Sequence, residues 1–458
     1  MSITIVGGGI SGLSLAYFLL EQVPNIEIRV LEAEGRPGGK IWTDRADGFL
    51  CEWGVNGFLD SKPRTLELAS KLSINPLRSN DAARKRFIYT GGRLRQIPET
   101  PPAFLKSDLL SFKGKLRIIY ELFAPKGTGE DETLANFARR RLGKEAYEKM
   151  IDPMASGIYA GDPEKLSLRS CFPRIYQLER EYGSLIRAMI KLQKEAKKSG
   201  RSVGPGPGGT LTSFYDGMET MVRALRDSLG DRLVTDWRVV EVQKYGDGYV
   251  IYNDHGETIE TENLVLACPA HEASKITQTF DEELSGLLSQ IPYPAVSVVC
   301  LGFKRESIRQ NLDAFGFLVP FREKKKILGT LYDSSIFPNR APDGYVLLRT
   351  MVGGARASEL ALQEEERLVN LVLEELFDLM GLRAEPVLSR VYKHEKAIPQ
   401  YNLGHQELLG RIEDARLRHP NFYLTGNAYR GIGVNDCIEN SFNLAGVLVS
   451  NLKQPINN

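Results

Sequence analysis

The segment Ser2 to Val6 is a short β-branched run that ends in Gly7-Gly8-Gly9-Ile10-Ser11-Gly12, and that junction constrains the chain more than any other stretch. Residues 13–20, LSLAYFLL, read as a helix, and a second strand, Ile26 to Leu31, ends at Glu32, 20 residues after Gly12. A strand, a GxGxxG turn, a helix, a second strand and an acid, in this order, form a dinucleotide-binding unit. Gly7 permits the tight turn, Gly9 lets the backbone approach a pyrophosphate, and Gly12 lets helix pack on strand. The helix N-terminus offers unpaired N–H groups and a positive dipole end to phosphates. Glu32 can accept both ribose hydroxyls of an adenosine, and its charge opposes a 2′-phosphate, so NADP is disfavoured. The motif alone does not separate FAD from NAD.

Composition removes other chemistries. The 458 residues hold 59 Lys+Arg against 58 Asp+Glu, a net charge of +1, which gives no global electrostatic case for nucleic acid as a partner. That length predicts two or three domains. Five His and five Cys (Cys51, Cys171, Cys268, Cys300, Cys437) are scattered, with no CxxC and no HExxH. Zinc hydrolysis and dithiol chemistry therefore have no support, no metal is expected, and the odd cysteine count fits reduced thiols in the cytosol. No apolar run approaches the roughly 18 residues of a spanning helix, and no signal peptide is expected before the first strand.

The segment immediately after Glu32 bears on the cofactor. Arg36-Pro37-Gly38-Gly39-Lys40 resembles the flavoprotein amine oxidases, desaturases and porphyrinogen oxidases. The resemblance implies that Arg36, Gly38 and Gly39 wrap the pyrophosphate and flavin edge of a noncovalent FAD. Near the other end, Phe422 to Thr425 reads as a strand, Gly426-Asn427 opens a loop, and Gly431 to Cys437 leads into a final helix. In the resembled family a glycine-rich stretch here caps the flavin, placing Gly426, Gly433, Val434 and Asp436 near it. Asp436 is equally readable as the helix N-cap. Both chain ends thus build one nucleotide domain, with the middle inserted.

Within the middle, residues 232–267 alternate as short strands broken by Gly246-Asp247-Gly248 and Asp254-His255-Gly256. The resemblance implies that Val239 or Val240 meets the adenine. Ser199 to Thr210 reads as a linker, and a region at about 290–400 reads as the sheet flooring a substrate cavity. Residues 105–198 read as helical. There Phe112, Leu116, Ile119 and Phe123 recur at helical spacing with Lys113, Lys115 and Arg117 on the other face. Leu185, Met189 and Leu192 repeat the pattern opposite Arg187, Lys191, Lys194, Lys197 and Lys198. Such helices either lie in a membrane interface or pack on a core with a solvated basic face.

Four further stretches are Glu52-Trp53-Gly54-Val55-Asn56, Arg84 to Tyr89, Ser156-Gly157-Ile158-Tyr159-Ala160-Gly161-Asp162-Pro163, and Ile398 to His405. With Val352-Gly353-Gly354 and both flavin motifs, they resemble the oxygen-dependent protoporphyrinogen oxidases along nearly the whole chain. That resemblance implies an α/β plus α+β fold: a Rossmann-like FAD domain of the monoamine-oxidase and p-hydroxybenzoate-hydroxylase type, with inserted substrate and membrane-binding domains. The expected FAD domain takes 1–80, 205–285 and 405–458; the helical membrane-binding domain takes 85–204; the substrate domain takes 80–100 and 286–404. It implies Arg86, Asn56, Gly157, Phe315, Leu331 and Met351 at the macrocycle, with Arg86 clamping a propionate. It implies hydride transfer from a meso carbon to the flavin N5, reoxidation by O2 to hydrogen peroxide, and no catalytic side chain.

Expected partners are a porphyrinogen, O2, the inner face of the cell membrane from the cytoplasm, and the next haem-pathway enzyme, with the chain a monomer or homodimer. One departure stands out: relatives often carry Trp shortly before IPQY, where this chain has His394-Glu395. His394 reads as a bland polar residue at the pocket edge, and His405 receives no catalytic role. The rivals are a coproporphyrinogen oxidase of the same fold, for which Lys324-Lys325-Lys326 is a source of extra cations, and an amine oxidase or desaturase.

Overall fold

A computed structural model describes residues 2–198 and 208–453, so most of the expected linker lies outside the described residues. Five parallel strands form the first sheet in the order Leu233–Val234, Glu27–Leu31, Ser2–Val6, Asn263–Leu266 and Phe422–Leu424. The strands come from widely separated stretches because a parallel pair needs a long crossover. The first crossover is the helix Ile10–Gln22, apolar nearly all round because it is covered on both sides. Beneath it lie Ile3, Ile5 and Val265, and above it the final helix Val434–Lys453. Phe18 meets Phe442 edge to face at 5.2 Å, and Ser441 donates to the Ser11 carbonyl at 2.8 Å. A meander of Val239–Tyr245, Gly248–Asn253 and Thr258–Thr261 turns at the two glycine motifs.

The second sheet has seven strands in the order Leu388–His394, Val296–Lys304, Tyr345–Gly353, Ile327–Leu331, Gly316–Leu318, Arg86–Thr90 and Arg93–Gln96. Side chains alternate across it. Val299, Leu301, Phe317, Leu348 and Val352 face the helix Glu365–Met380 and form one core with it. The opposite face carries Val298, Cys300, Leu347 and Met351 toward the hairpin Thr43–Glu52 and Trp53. The first sheet and this second face thus bound the region where a site can form.

Helices between Pro101 and Lys198 make a third region around Leu134, Phe137, Ala155, Tyr159 and Leu168. A buried ion cluster orders it. Arg141 reaches Glu121 at 3.3 Å and Glu179 at 2.5 Å, and Glu121 also accepts from the Leu185 N–H at 2.8 Å. The two amphipathic helices then part company. Leu185, Met189 and Leu192 are half-buried, so that stripe turns inward, and the side chains of Lys197 and Lys198 lie outside the described residues. The helix Phe112–Ile119 and the turn Tyr120–Phe123 instead hold Phe112 75% and Phe123 69% exposed, beside exposed Leu116, Ile119 and Tyr120.

Candidate functional site

A groove of about 410 Å³ runs along the carboxyl ends of the parallel strands. Its glycines divide the work. Gly7 has φ +114, and any Cβ on Gly12 would overlap the Gly7 carbonyl, so these two fix the turn. A Cβ on Gly9 would meet nothing within 4 Å, so the backbone there is bare toward the groove. Gly38 N–H donates to the Gly8 carbonyl at 2.8 Å, laying the RPGGK segment along the turn. Gly7, Gly9, Glu32, Gly38, Gly39, Val239, Gly426 and Val434 line the groove. Gly12, Arg36, Val240, Gly433 and Asp436 do not belong to that lining.

Glu32 is buried at the rim. Its carboxylate accepts from Gly8 N–H at 2.8 Å and Glu34 N–H at 3.0 Å. Burial pushes its pKa up, and those two N–H groups oppose the shift. Val240 is 46% exposed, which leaves Val239 to the groove. Asp436 is not the N-cap of the final helix; it stands in the first turn, accepts from Gly433 N–H at 3.3 Å and pairs with Lys62. Arg36 lies over Trp42 and Trp53 at 4.6 and 4.8 Å from the ring centres.

Lys40 is one of the groove residues that sequence reasoning missed. It closes the RPGGK motif, and its ammonium donates to the Lys396 carbonyl at 2.8 Å and to the Ala397 carbonyl. Desolvation pushes its pKa down to about 8. The spacing to residue 397 carries no signal in the sequence, because only the fold brings that turn to the groove. His394 donates from Nε2 to the Trp53 carbonyl at 3.0 Å, and burial, with the charges of Lys40 and Arg36, lowers its pKa. His405 is stacked on Tyr401 at 4.2 Å.

The residues expected at the macrocycle lie on or beside the face of the seven-stranded sheet turned away from the helix Glu365–Met380. Register aligns Arg86 with Gly316 and Gly316 with Leu331, so Arg86, Phe315 and Leu331 gather at one end. Met351 stands opposite Gly329 farther along the same face. Arg86 lies over the Phe315 ring at 4.9 Å. Gly157, on the helix Asp152–Tyr159, packs across this face, where a Cβ would come within 2.8 Å of Leu318 Cδ2. Asn56 follows Val55, which lines the groove, and donates to Asp333 at 3.4 Å. The groove and this sheet face therefore adjoin at residues 53–56.

Charge pairing singles out one cation. Arg84 pairs with Asp81 at 2.9 Å and Lys85 with Asp313 at 3.1 Å, whereas Arg86 has no acidic partner among the described residues. Lys325 pairs with Asp378 at 3.2 Å on the helix Glu365–Met380, so it serves the side of the sheet away from Arg86. Among the described residues no cluster of three His, Cys, Asp or Glu is arranged to hold a metal.

The family of flavin-containing amine oxidoreductases matches residues 10–448. The chain belongs to that family. It is 30% identical to the coproporphyrinogen III oxidase of Bacillus subtilis (strain 168), covering 95% of each chain. It is 33% identical to the chloroplastic protoporphyrinogen oxidase of Nicotiana tabacum, over 96% of this chain and 84% of that one. A solved structure from Exiguobacterium sp. 255-15, provisionally assigned as a protoporphyrinogen oxidase, superposes with a TM-score of 0.84 at 26% identity, covering 99% of each chain. A flavin amine oxidoreductase fold carries FAD, so the protein is an FAD-dependent oxidoreductase. Among the described residues, no helix is long and apolar enough to cross a membrane.

Proposed function

We propose that the protein oxidises protoporphyrinogen IX to protoporphyrin IX in haem biosynthesis, with O2 as acceptor and hydrogen peroxide as by-product. The observation that carries the reading is Arg86, without an acidic partner among the described residues, over Phe315 at one end of a sheet face that adjoins the dinucleotide groove. A porphyrinogen is a large apolar ring with carboxylates at its edge. Leu331, Met351 and Phe315 suit the ring, and the Arg86 guanidinium suits a propionate. Gly157 lets the helix Asp152–Tyr159 close on Leu318, which bounds that face at one side.

FAD, when bound, supplies the hydride acceptor and the reaction with O2. The bare backbone at Gly9 is a cradle that a Cβ would fill, and it fits a pyrophosphate. Gly7, Gly9, Gly38 and Gly39 would hold the phosphates, with Glu32 at the adenosine ribose and Val239 at the adenine. Gly426 and Val434 would border the ring, with Gly433 and Asp436 ordering the turn behind it. This chain's residues orient the macrocycle and exclude water; no side chain is assigned as base.

A second reading, coproporphyrinogen III oxidation, is favoured by the name of the Bacillus subtilis relative. Four propionates would call for more free cations than Arg86, and Lys325 is already paired elsewhere. The protein is further proposed to meet the inner face of the cell membrane peripherally, through the apolar face at Phe112 and Phe123. The test is side-by-side turnover of the two porphyrinogens by the yellow, FAD-loaded protein. Protoporphyrinogen should give fluorescent porphyrin with the higher kcat/KM, and Arg86→Ala should raise its KM about tenfold. A colourless protein, or one inert toward both substrates, would refute the reading.

A further inference from the structure

Beside the proposed macrocycle face lie two buried ions that the redox chemistry does not use. Asp333 and Arg349 pair at 2.8 Å with side-chain exposures of 0% and 3%. Arg349 stands opposite Leu331 on the cavity face and donates to the Gly54 carbonyl at 3.0 Å. Asp333 accepts from the Asn56 amide nitrogen at 3.4 Å. A buried ion pair often stabilises a fold no better than apolar groups of the same shape, so stability alone is a weak reason for this one. What the pair does is geometric. An ionised carboxylate only accepts hydrogen bonds, so it turns the nitrogen end of the Asn56 amide toward itself. The oxygen end then faces away, and Asn56 Oδ1 is a buried acceptor without a protein donor among the described residues. A buried acceptor left unpaired is unfavourable until a ligand supplies a donor.

We infer that Asp333, held by Arg349, is a positioning residue that fixes Asn56 so that its amide oxygen accepts a pyrrole N–H of the macrocycle. The inference rests on the porphyrinogen reading of this cavity. Every nitrogen of a porphyrinogen carries hydrogen, whereas two nitrogens of the porphyrin product do not. An acceptor locked in place therefore favours the substrate over the product, which is the sense a multi-round oxidation requires. Without Asp333, the amide is free to rotate and present its N–H groups, and that preference is lost.

The experiment compares wild type, Asn56→Leu, Asp333→Asn and the double variant as FAD-loaded full chains. It reads KM and kcat for protoporphyrinogen, the inhibition constant of protoporphyrin, and the melting temperature. Asn56→Leu should raise KM about tenfold, the loss of one buried hydrogen bond, while product inhibition stays within about twofold. Asp333→Asn should raise KM similarly, and the double variant should be no worse than Asn56→Leu alone. An Asn56→Leu enzyme with wild-type KM overturns the inference, as do losses that multiply in the double variant. A melting-temperature drop in Asp333→Asn with unchanged KM also overturns it, since that is a structural role only. If Asp333→Asn does not fold, Asn56→Leu still decides, because it leaves the ion pair in place. A wild type inert toward both porphyrinogens refutes the underlying reading instead, so the two failures are distinguishable.

Discussion

At the residue scale, two positions in the groove show opposite kinds of constraint. Gly12 is packed so closely on the Gly7 carbonyl that no other residue fits the turn. Gly12→Ala should abolish copurifying flavin, read as loss of the visible flavin absorbance, with the protein still folded by circular dichroism. Lys40 is constrained by solvation. Its pKa falls from the ordinary 10.5 to about 8 because burial penalises the ammonium. Between those values the unfolded chain binds a proton that the folded chain does not, so stability rises with pH across that window. In flavin-free protein, the unfolding free energy of wild type relative to Lys40→Met should climb from pH 8 to pH 10. A flat difference would show that Lys40 is solvated.

At the element scale, two helices with the same amphipathic pattern meet different fates. Pattern shows only that each helix has an apolar side; it does not show which side finds a partner. The stripe of Leu185, Met189 and Leu192 is half-buried, with Leu185 against the helical core, while the 112–123 face stays open. Burying a Phe is worth about 1.5–3 kcal/mol, which is what the proposed membrane contact would gain from each of Phe112 and Phe123. Phe112→Ser with Phe123→Ser should weaken sedimentation with anionic vesicles at least tenfold and leave turnover of dissolved substrate within about twofold. Equal sedimentation by variant and wild type would remove that face from the membrane reading.

At the scale of the molecule, the groove is assembled from both ends of the chain and from residues 237–276 between them. A ligand bound there ties these segments together and stabilises the fold by mass action. FAD at about 100 times its Kd should add about 2.7 kcal/mol, read as a melting temperature that climbs with free FAD. A melting temperature indifferent to FAD would mean that the groove is not the binding site.

The dinucleotide unit was legible in the sequence because its reasons are local. A tight turn, a bare backbone and a helix start each demand glycine at a fixed spacing, and Glu32 lies one crossover away. The meander was legible for the same reason, through its turn glycines. Arg86, Phe315, Leu331 and Met351 were grouped in the sequence only by resemblance, since strand register, which no local pattern encodes, is what sets them along one face. Tertiary structure alone decided that Val239 and not Val240 meets the groove, that Asp436 stands inside its helix, and that Lys40 reaches residue 397. It alone joined Asn56, in a loop, to Asp333 on a short helix and, through it, to Arg349 on a strand. Sequence by itself determines where the backbone must turn and which faces are apolar, because those follow from sterics and periodicity. Which buried charges meet depends on long-range packing, and that is settled only when the whole chain has folded.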